Sequence, residues 1–409
     1  MTYKTLVLAF TVALLSSCAV KPKHQTETSP KKVPIIKVLL GEVNAVDSLS
    51  FSQNVILTAE EAQYELGKNN NKIYIKNSAQ GFKIFNQNRI FTFAYNDSII
   101  LSAEKSPFNY HNKKYAGRII ITRKEGNPVW VINKVNLETY LQGVVPAEIP
   151  TYQTDYIQAD KAQAICARTY ALNNIRENSG KAYHIYGDIR SQVYGGMDFE
   201  TLQGNSAVES TKGVVIKYNN KLATIYYHST CGGMLESGAY FGDKGDLPYL
   251  QPYKDLLGDD FACSASPYFR WQRQFTFDQL DSIVYVKFGK GIKNIIVNDT
   301  TDIYFKITIL ERTKGGRIQK LEISYADTSF VLNGLDIRKF FTDGRGKYLP
   351  STMFTISLVN DTTLVLNGGG YGHGVGMCQY GALSMAEKGF KYYHILYKYF
   401  RGSYLEKLY

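Results

Sequence analysis

"PVWVINKVNLETYLQGVVPAEIP", residues 128–150, changes character halfway along. The first half reads as a strand; the second turns into a short helical segment that ends on Pro150. The next stretch, "TDYIQADKAQAICARTYALNNIRENSGK" at residues 154–181, reads as a helix of about twenty residues. Thr154 or Asp155 can cap its start and Gly180 can end it in the left-handed conformation. Ala159, Ala162, Cys166 and Tyr170 form its buried stripe, and such small side chains permit close approach by another element.

Upstream, residues 33–127 hold short β-rich runs such as "PIIKVLL", "FKIFNQ" and "RIIITRKEG", broken by Asn, Gly and Lys clusters. They predict a small all-β domain that carries no nameable motif. Downstream, hairpins are expected at Asn219-Asn220, Gly315-Gly316 and Asn360-Asp361. Two short helices, Gln379 to Lys388 and Tyr392 to Phe400, close the chain, punctuated by Gly389 and Gly402. The fold class is therefore α+β: a β-rich domain with a few helices over residues 128–409, preceded by the small β domain.

The start of the chain bears on compartment. Residues 1–18, "MTYKTLVLAFTVALLSSC", have a lysine-bearing start, an apolar stretch and small residues before Cys18, as a secretory leader does. Leu15-Ser16-Ser17-Cys18 resembles a bacterial lipobox, which implies cleavage before Cys18 and lipid on its sulfur. Residues 19–32 are polar, proline-bearing and lysine-rich, as a solvated tether should be. The expectation is a protein of the cell envelope, lipid-anchored outside the cytoplasm and periplasmic if that envelope is Gram-negative.

With 409 residues, more than one folding unit is expected. The net charge of +11 suits an anionic partner: nucleic acid, a lipid surface or an acidic wall polymer. Lys and Arg are scattered with no long basic run, which argues against nucleic acid.

Three clusters could carry chemistry. Glu148 stands between Pro146 and Pro150 in a mostly apolar stretch, where poor solvation raises a carboxyl pKa toward the range of a proton donor. A capping or salt-bridged glutamate is the competing interpretation. His228 and Cys231, followed by Gly232-Gly233, sit three apart at a strand end, and Cys263 could join them as a third ligand of a zinc site with an open position. A Cys231–Cys263 disulfide is the rival in an oxidising compartment. Third, in "NGGGYGHGVGMCQYGA", residues 367–382, alternating glycines surround His373. They can let a strand lie flat against a sugar chain, or serve glycine-rich core packing.

Five ordered motifs then make a recognisable set: "LETYLQGVVPAEIP" (137–150), "ADKAQAICARTYAL" (159–172), "DIRSQVYGG" (188–196), "YYHSTCGG" (226–233) and "GYGHGVGMCQYGALSMAEKG" (370–389). Together they resemble the SpoIID family, the stage II sporulation protein D and amidase-enhancer group of bacterial cell-wall proteins. The resemblance implies a lytic transglycosylase acting on peptidoglycan glycan strands already stripped of peptide, with Glu148 as the catalytic residue. It implies that Arg168, Gln192, Tyr194, His373 and Gln379 line a substrate groove, and that His228 and Cys231 bind zinc as in some members. It also implies an alternative, a non-enzymatic enhancer of a cell-wall amidase. Cys378 stands where serine is usual in the family.

Overall fold

The computed structural model describes residues 32–66, 72–103, 106–242, 246–289, 305–325, 328–342, 345–359 and 363–409. The leader, Cys18, the tether and the Asn360-Asp361 turn lie outside the described residues.

Between residues 33 and 136, strands such as Lys72–Ser78 and Arg118–Thr122 bury alternate side chains, so each turns one apolar face inward. One sheet has seven strands, in the order Ile185–Tyr186, Ile35–Val43, Val129–Asn136, Arg118–Thr122, Ser98–Ala103, Val55–Ala59 and Ala62–Glu65. A second has six, Lys113–Tyr115, Phe108–Tyr110, Val46–Phe51, Lys72–Ser78, Gly81–Phe85 and Ile90–Ala94. Ile36, Val38 and Ile121 of the first sheet and Ile73, Phe82 and Ile84 of the second bury into one core.

This topology corrects the domain boundary expected at residue 128. The strand Val129–Asn136 is flanked by Ile35–Val43 on one side and Arg118–Thr122 on the other, both antiparallel. The two regions share a sheet and a core, within one compact unit from Val33 to Tyr409. The composition shift marks the passage from sheet to helices, not a gap between bodies.

Helix α1, Leu137–Glu148, follows that strand directly, and the Asn136 side chain caps it by accepting from the Glu138 N–H at 2.9 Å. A 3₁₀ turn, Thr154–Tyr156, leads into α2, Ile157–Glu177. Asn178 caps its end, so Gly180 is not the terminator. Ala159, Ala162, Ala164, Ala167 and Ala171 are fully buried. Their small side chains let α1, α3 (Leu202–Ser210), α6 (Gln379–Glu387) and α7 (Tyr392–Tyr399) all pack against α2. Asn219 and Asn220 both take positive φ in the expected hairpin, and Gly316 does so in another.

A second core, unforeseen in the sequence, gathers Trp271, Phe275, Leu280, Ile318, Leu321, Phe340, Phe354 and Leu366. It lies beneath two three-stranded sheets and the helices α4, Phe277–Phe288, and α5, Leu335–Phe340. The architecture is α+β and β-rich, as expected. Among the described residues no helix is long and apolar enough to cross a membrane.

Candidate active site

Pro146 lies in the last turn of α1 and Glu148 is that helix's final residue. The carboxylate is half-buried. Its Oε1 accepts from the Val193 amide at 2.9 Å, and the Tyr227 hydroxyl and Gln379 carboxamide also hydrogen-bond to it. Burial raises its pKa above the ordinary glutamate value, while these three bonds pull it partly back. The result is a carboxyl group of raised pKa held by three donors, none of them charged.

Tyr227 is itself aimed from behind. The buried Gln192 donates from Nε2 to the Tyr227 hydroxyl at 2.9 Å and accepts from the Tyr140 hydroxyl at 3.2 Å. Burial keeps the Tyr227 phenol protonated and available as a donor. Gln192 thus positions a residue that touches Glu148 and does not face a groove. Tyr227 was missed in the sequence, although strand alternation around His228 would have placed the two side chains on opposite faces.

Two expected groove residues are structural. Arg168 is wholly buried; it grips Glu138 through Nε–Oε1 at 2.8 Å and Nη2–Oε2 at 2.7 Å, and donates to the Val208 and Val214 carbonyls at 3.2 Å each. A guanidinium so used ties α2 to α1, to α3 and to the strand after it, with no face left for a sugar. Tyr194 is also buried, packed between Tyr115 and Tyr140, and donates to Asn133 Oδ1 at 3.2 Å. It follows Val193, whose amide meets Glu148, so its ring turns inward.

The glycine-rich stretch is corrected too. Gly370, Gly372, Gly374 and Gly376 have φ of +85°, +102°, +82° and +72°, a region that disfavours side chains. A Cβ at Gly370 would come within 2.8 Å of the Thr230 carbonyl, and one at Gly374 would strike the Arg317 guanidinium. The room is made for the chain's own segment 226–232 and for Arg317. Met377–Cys378 then pairs in parallel with Tyr227–His228.

His373 sits in this stretch on the side of Tyr226 and His228, with ring centroids 6.0 and 5.4 Å away, and 5.0 Å from Phe241. Alternation along the strand puts this side opposite the Tyr227 phenol and hence opposite Glu148. Its Nδ1 accepts from the Val375 amide at 3.0 Å, and it also hydrogen-bonds to the Tyr227 backbone. Burial, with the Arg317 charge, pushes its pKa down to about 3, so the ring is neutral. Of the expected groove residues, Gln379 reaches Glu148; His373 does not share its face.

The metal set changes in the same way. His228 turns from the cysteines: its Nδ1 meets the Val375 carbonyl at 3.1 Å, and its Nε2 is buried without a hydrogen-bond partner. Cys231 and Cys263 are instead joined by Asp255 and Cys378, four buried residues whose ligand atoms lie within 4.8 Å of one another. Cys231 and Cys263 are free thiols with Sγ atoms 3.4 Å apart, so no disulfide joins them. Tetrahedral zinc with Zn–S of about 2.3 Å sets its sulfurs roughly 3.8 Å apart, a spacing this cluster accommodates. Hydrogen bonds from Cys231 and Cys378 hold Cys263 down to about 3, giving the cluster thiolate character. Asp255 has its own supports, Lys398 Nζ at 2.9 Å and the Tyr399 hydroxyl at 3.1 Å. The cluster could hold a metal ion. No motif in the sequence surrounds Asp255, and Cys378 stands out there only as a replacement for the family's usual serine.

The strand that continues into the helix ending on Glu148 lies within a stretch that a family model matches. The family model for SpoIID, described as "Stage II sporulation protein", matches residues 125–218, and a domain of unknown function, DUF8618, matches residues 246–376. An uncharacterized protein of Brachyspira hyodysenteriae is 30% identical over 313 residues, covering 75% of this chain and 76% of that protein. The amidase enhancer of Bacillus subtilis is 29% identical, covering 64% of this chain but only 40% of its own length. Stage II sporulation protein D of the same organism is 25% identical, covering 66% and 75%. The chain belongs to the SpoIID family.

Proposed function

We propose that the protein is a peptidoglycan lytic transglycosylase that cuts peptide-stripped glycan strands and leaves 1,6-anhydro-muramyl ends. The observation that carries this is the setting of Glu148, a half-buried acid whose pKa burial raises and whose hydrogen-bond partners are an amide, a phenol and a carboxamide. Hydrolytic glycosidases usually work with two carboxyl groups, one of them directed at water. A transglycosylase needs one. Glu148 donates its proton to the oxygen linking muramic acid to the next sugar, and that C–O bond breaks. The resulting carboxylate then takes the proton from the muramyl C6 hydroxyl, whose oxygen closes on C1. The proton returns to Glu148, and no water is consumed. Tyr227 and Gln379 stabilise the carboxylate between the two transfers.

Cys231, Asp255, Cys263 and Cys378 would hold zinc, which with four protein ligands supplies structural cross-linking of the loop after His228. Isolated protein should contain one zinc per chain by elemental analysis, and Cys378→Ser should lower that content and the melting temperature together; full metal loading without Cys378 would refute the ligand set. The protein acts in the cell envelope, held to a membrane by lipid on Cys18. The test of the reaction is mass spectrometry of digested glycan strands: wild type yields anhydro-muramyl ends, and Glu148→Gln yields none while melting as before. A second function is favoured by the amidase enhancer relative: binding of glycan and stimulation of an N-acetylmuramoyl-L-alanine amidase. It predicts no anhydro ends from wild type, with stimulation surviving Glu148→Gln.

A further inference from the structure

A tyrosine ring is normally at least partly buried, so a group of exposed rings calls for a partner. Tyr152 is 76% exposed, Tyr393 37% and Tyr397 44%. Half-buried Tyr156 and Tyr380 lie among them: Tyr156 feels the neighbouring Tyr152 and Tyr380 and hydrogen-bonds to Glu387. On α7 the Tyr392 and Tyr393 rings are 5.4 Å apart and those of Tyr393 and Tyr397 are 6.5 Å apart. The Tyr392 amide donates to Gln158 of α2 at 3.1 Å, which fixes α7 beside the segment that carries Tyr156.

This group begins at the candidate acid. Tyr380 follows Gln379, which hydrogen-bonds to Glu148, and Tyr152 lies four residues beyond Glu148. The apolar stripe of α7, Ile395, Leu396 and Tyr399, is already buried inward, so packing does not account for the outward rings. Lys388 and Lys391 lead into α7 through a stretch, 388–401, with no acidic residue.

We infer that Tyr152, Tyr156, Tyr380, Tyr393 and Tyr397 form a platform on which an extended anionic polysaccharide lies as it leads to Glu148. The identity of that polymer as a glycan strand rests on the cleavage reaction proposed above. The C–H faces of pyranose rings suit the negative faces of aromatic rings, and the phenol hydroxyls can bond sugar hydroxyls at the edges. Peptide-stripped muramic acid also carries a free lactyl carboxylate, for which the lysines are the complement. An anionic lipid surface would attract lysine and tyrosine as well. Continuity with Glu148 and the lack of long aliphatic side chains among the outward rings favour the glycan.

The test uses the full chain, peptide-stripped glycan strands and phosphatidylglycerol vesicles. Replacing Tyr152, Tyr393 and Tyr397 together by Ala should weaken co-sedimentation with glycan roughly tenfold or more, while replacing the same three by Phe stays within about threefold of wild type. Glu148→Gln should bind as wild type does. If the triple alanine variant melts lower than wild type, Tyr393→Ala alone carries the measurement. Wild-type glycan binding by the alanine variant, or loss of vesicle binding alone, overturns the platform. A Glu148→Gln protein that still cuts overturns the cleavage reaction instead, and the binding comparison stands apart from it.

Discussion

Tyr227 and His228 are consecutive residues of one strand, yet their side chains serve opposite environments. On the Tyr227 side, neutral donors surround a single acid: Tyr227 and Gln379 bond to Glu148, and Gln192 holds Tyr227 in place. On the His228 side, two imidazoles stand beside Arg317, and burial strips both of their charge. One side pushes an acid toward holding its proton; the other pushes two imidazoles away from taking one up. Residue type alone would have reversed this, since histidine is the usual proton carrier near neutral pH and glutamate is usually ionised there. Burial decides it in both places.

The contrast breaks first at Glu148. Glu148→Gln keeps the shape and removes the proton, and kcat should fall by roughly 10²–10⁴, the ordinary contribution of a general acid-base group. In wild type the active form carries the proton, so activity should decline as pH rises through the raised Glu148 pKa. Tyr227→Phe tests the same side more gently. It deletes a bond that favours the carboxylate, so the Glu148 pKa rises further and the alkaline limb of the pH–rate profile moves to higher pH. A fall of about tenfold in kcat should accompany that shift. A profile that stays in place would detach Tyr227 from the acid.

Much of this was legible in the sequence, and the failures have a common cause. The strand-to-helix passage at residues 128–150 and the long helix after it follow from periodicity, and the Asn219-Asn220 turn from its chemistry. Glu148 could be singled out because Pro146 and Pro150 constrain its own neighbourhood. Arg168 and Tyr194 could not be judged, because whether a side chain faces a groove or Glu138 depends on a partner distant in the chain. The glycines near His373 point to backbone freedom, but what fills the space is segment 226–232 and Arg317, both more than fifty residues earlier in the chain. Asp255 and Cys378 join the cysteine cluster by the same long-range folding. The second core has side chains as apolar as the first and no motif, so nothing local marked it.

The smallest effect is expected across the strand, at His373. Its ring is neutral and bonded on both sides to backbone, so His373→Gln should change kcat less than about threefold and leave the alkaline limb where it is. Its signature lies in stability. A folded-state pKa of about 3 lies below the ordinary histidine value, so the unfolded chain binds a proton that the folded one refuses. Wild type should lose stability as pH falls from about 6.5 toward 3, by up to roughly 2 kcal/mol at pH 5 from this residue. Gln at the position has no proton to gain, so the drop in melting temperature between pH 7 and pH 5 should be smaller in the variant. An equal drop in both proteins, or a kcat loss as deep as that of Glu148→Gln, would place the imidazole on the acid's side of the strand and dissolve the contrast.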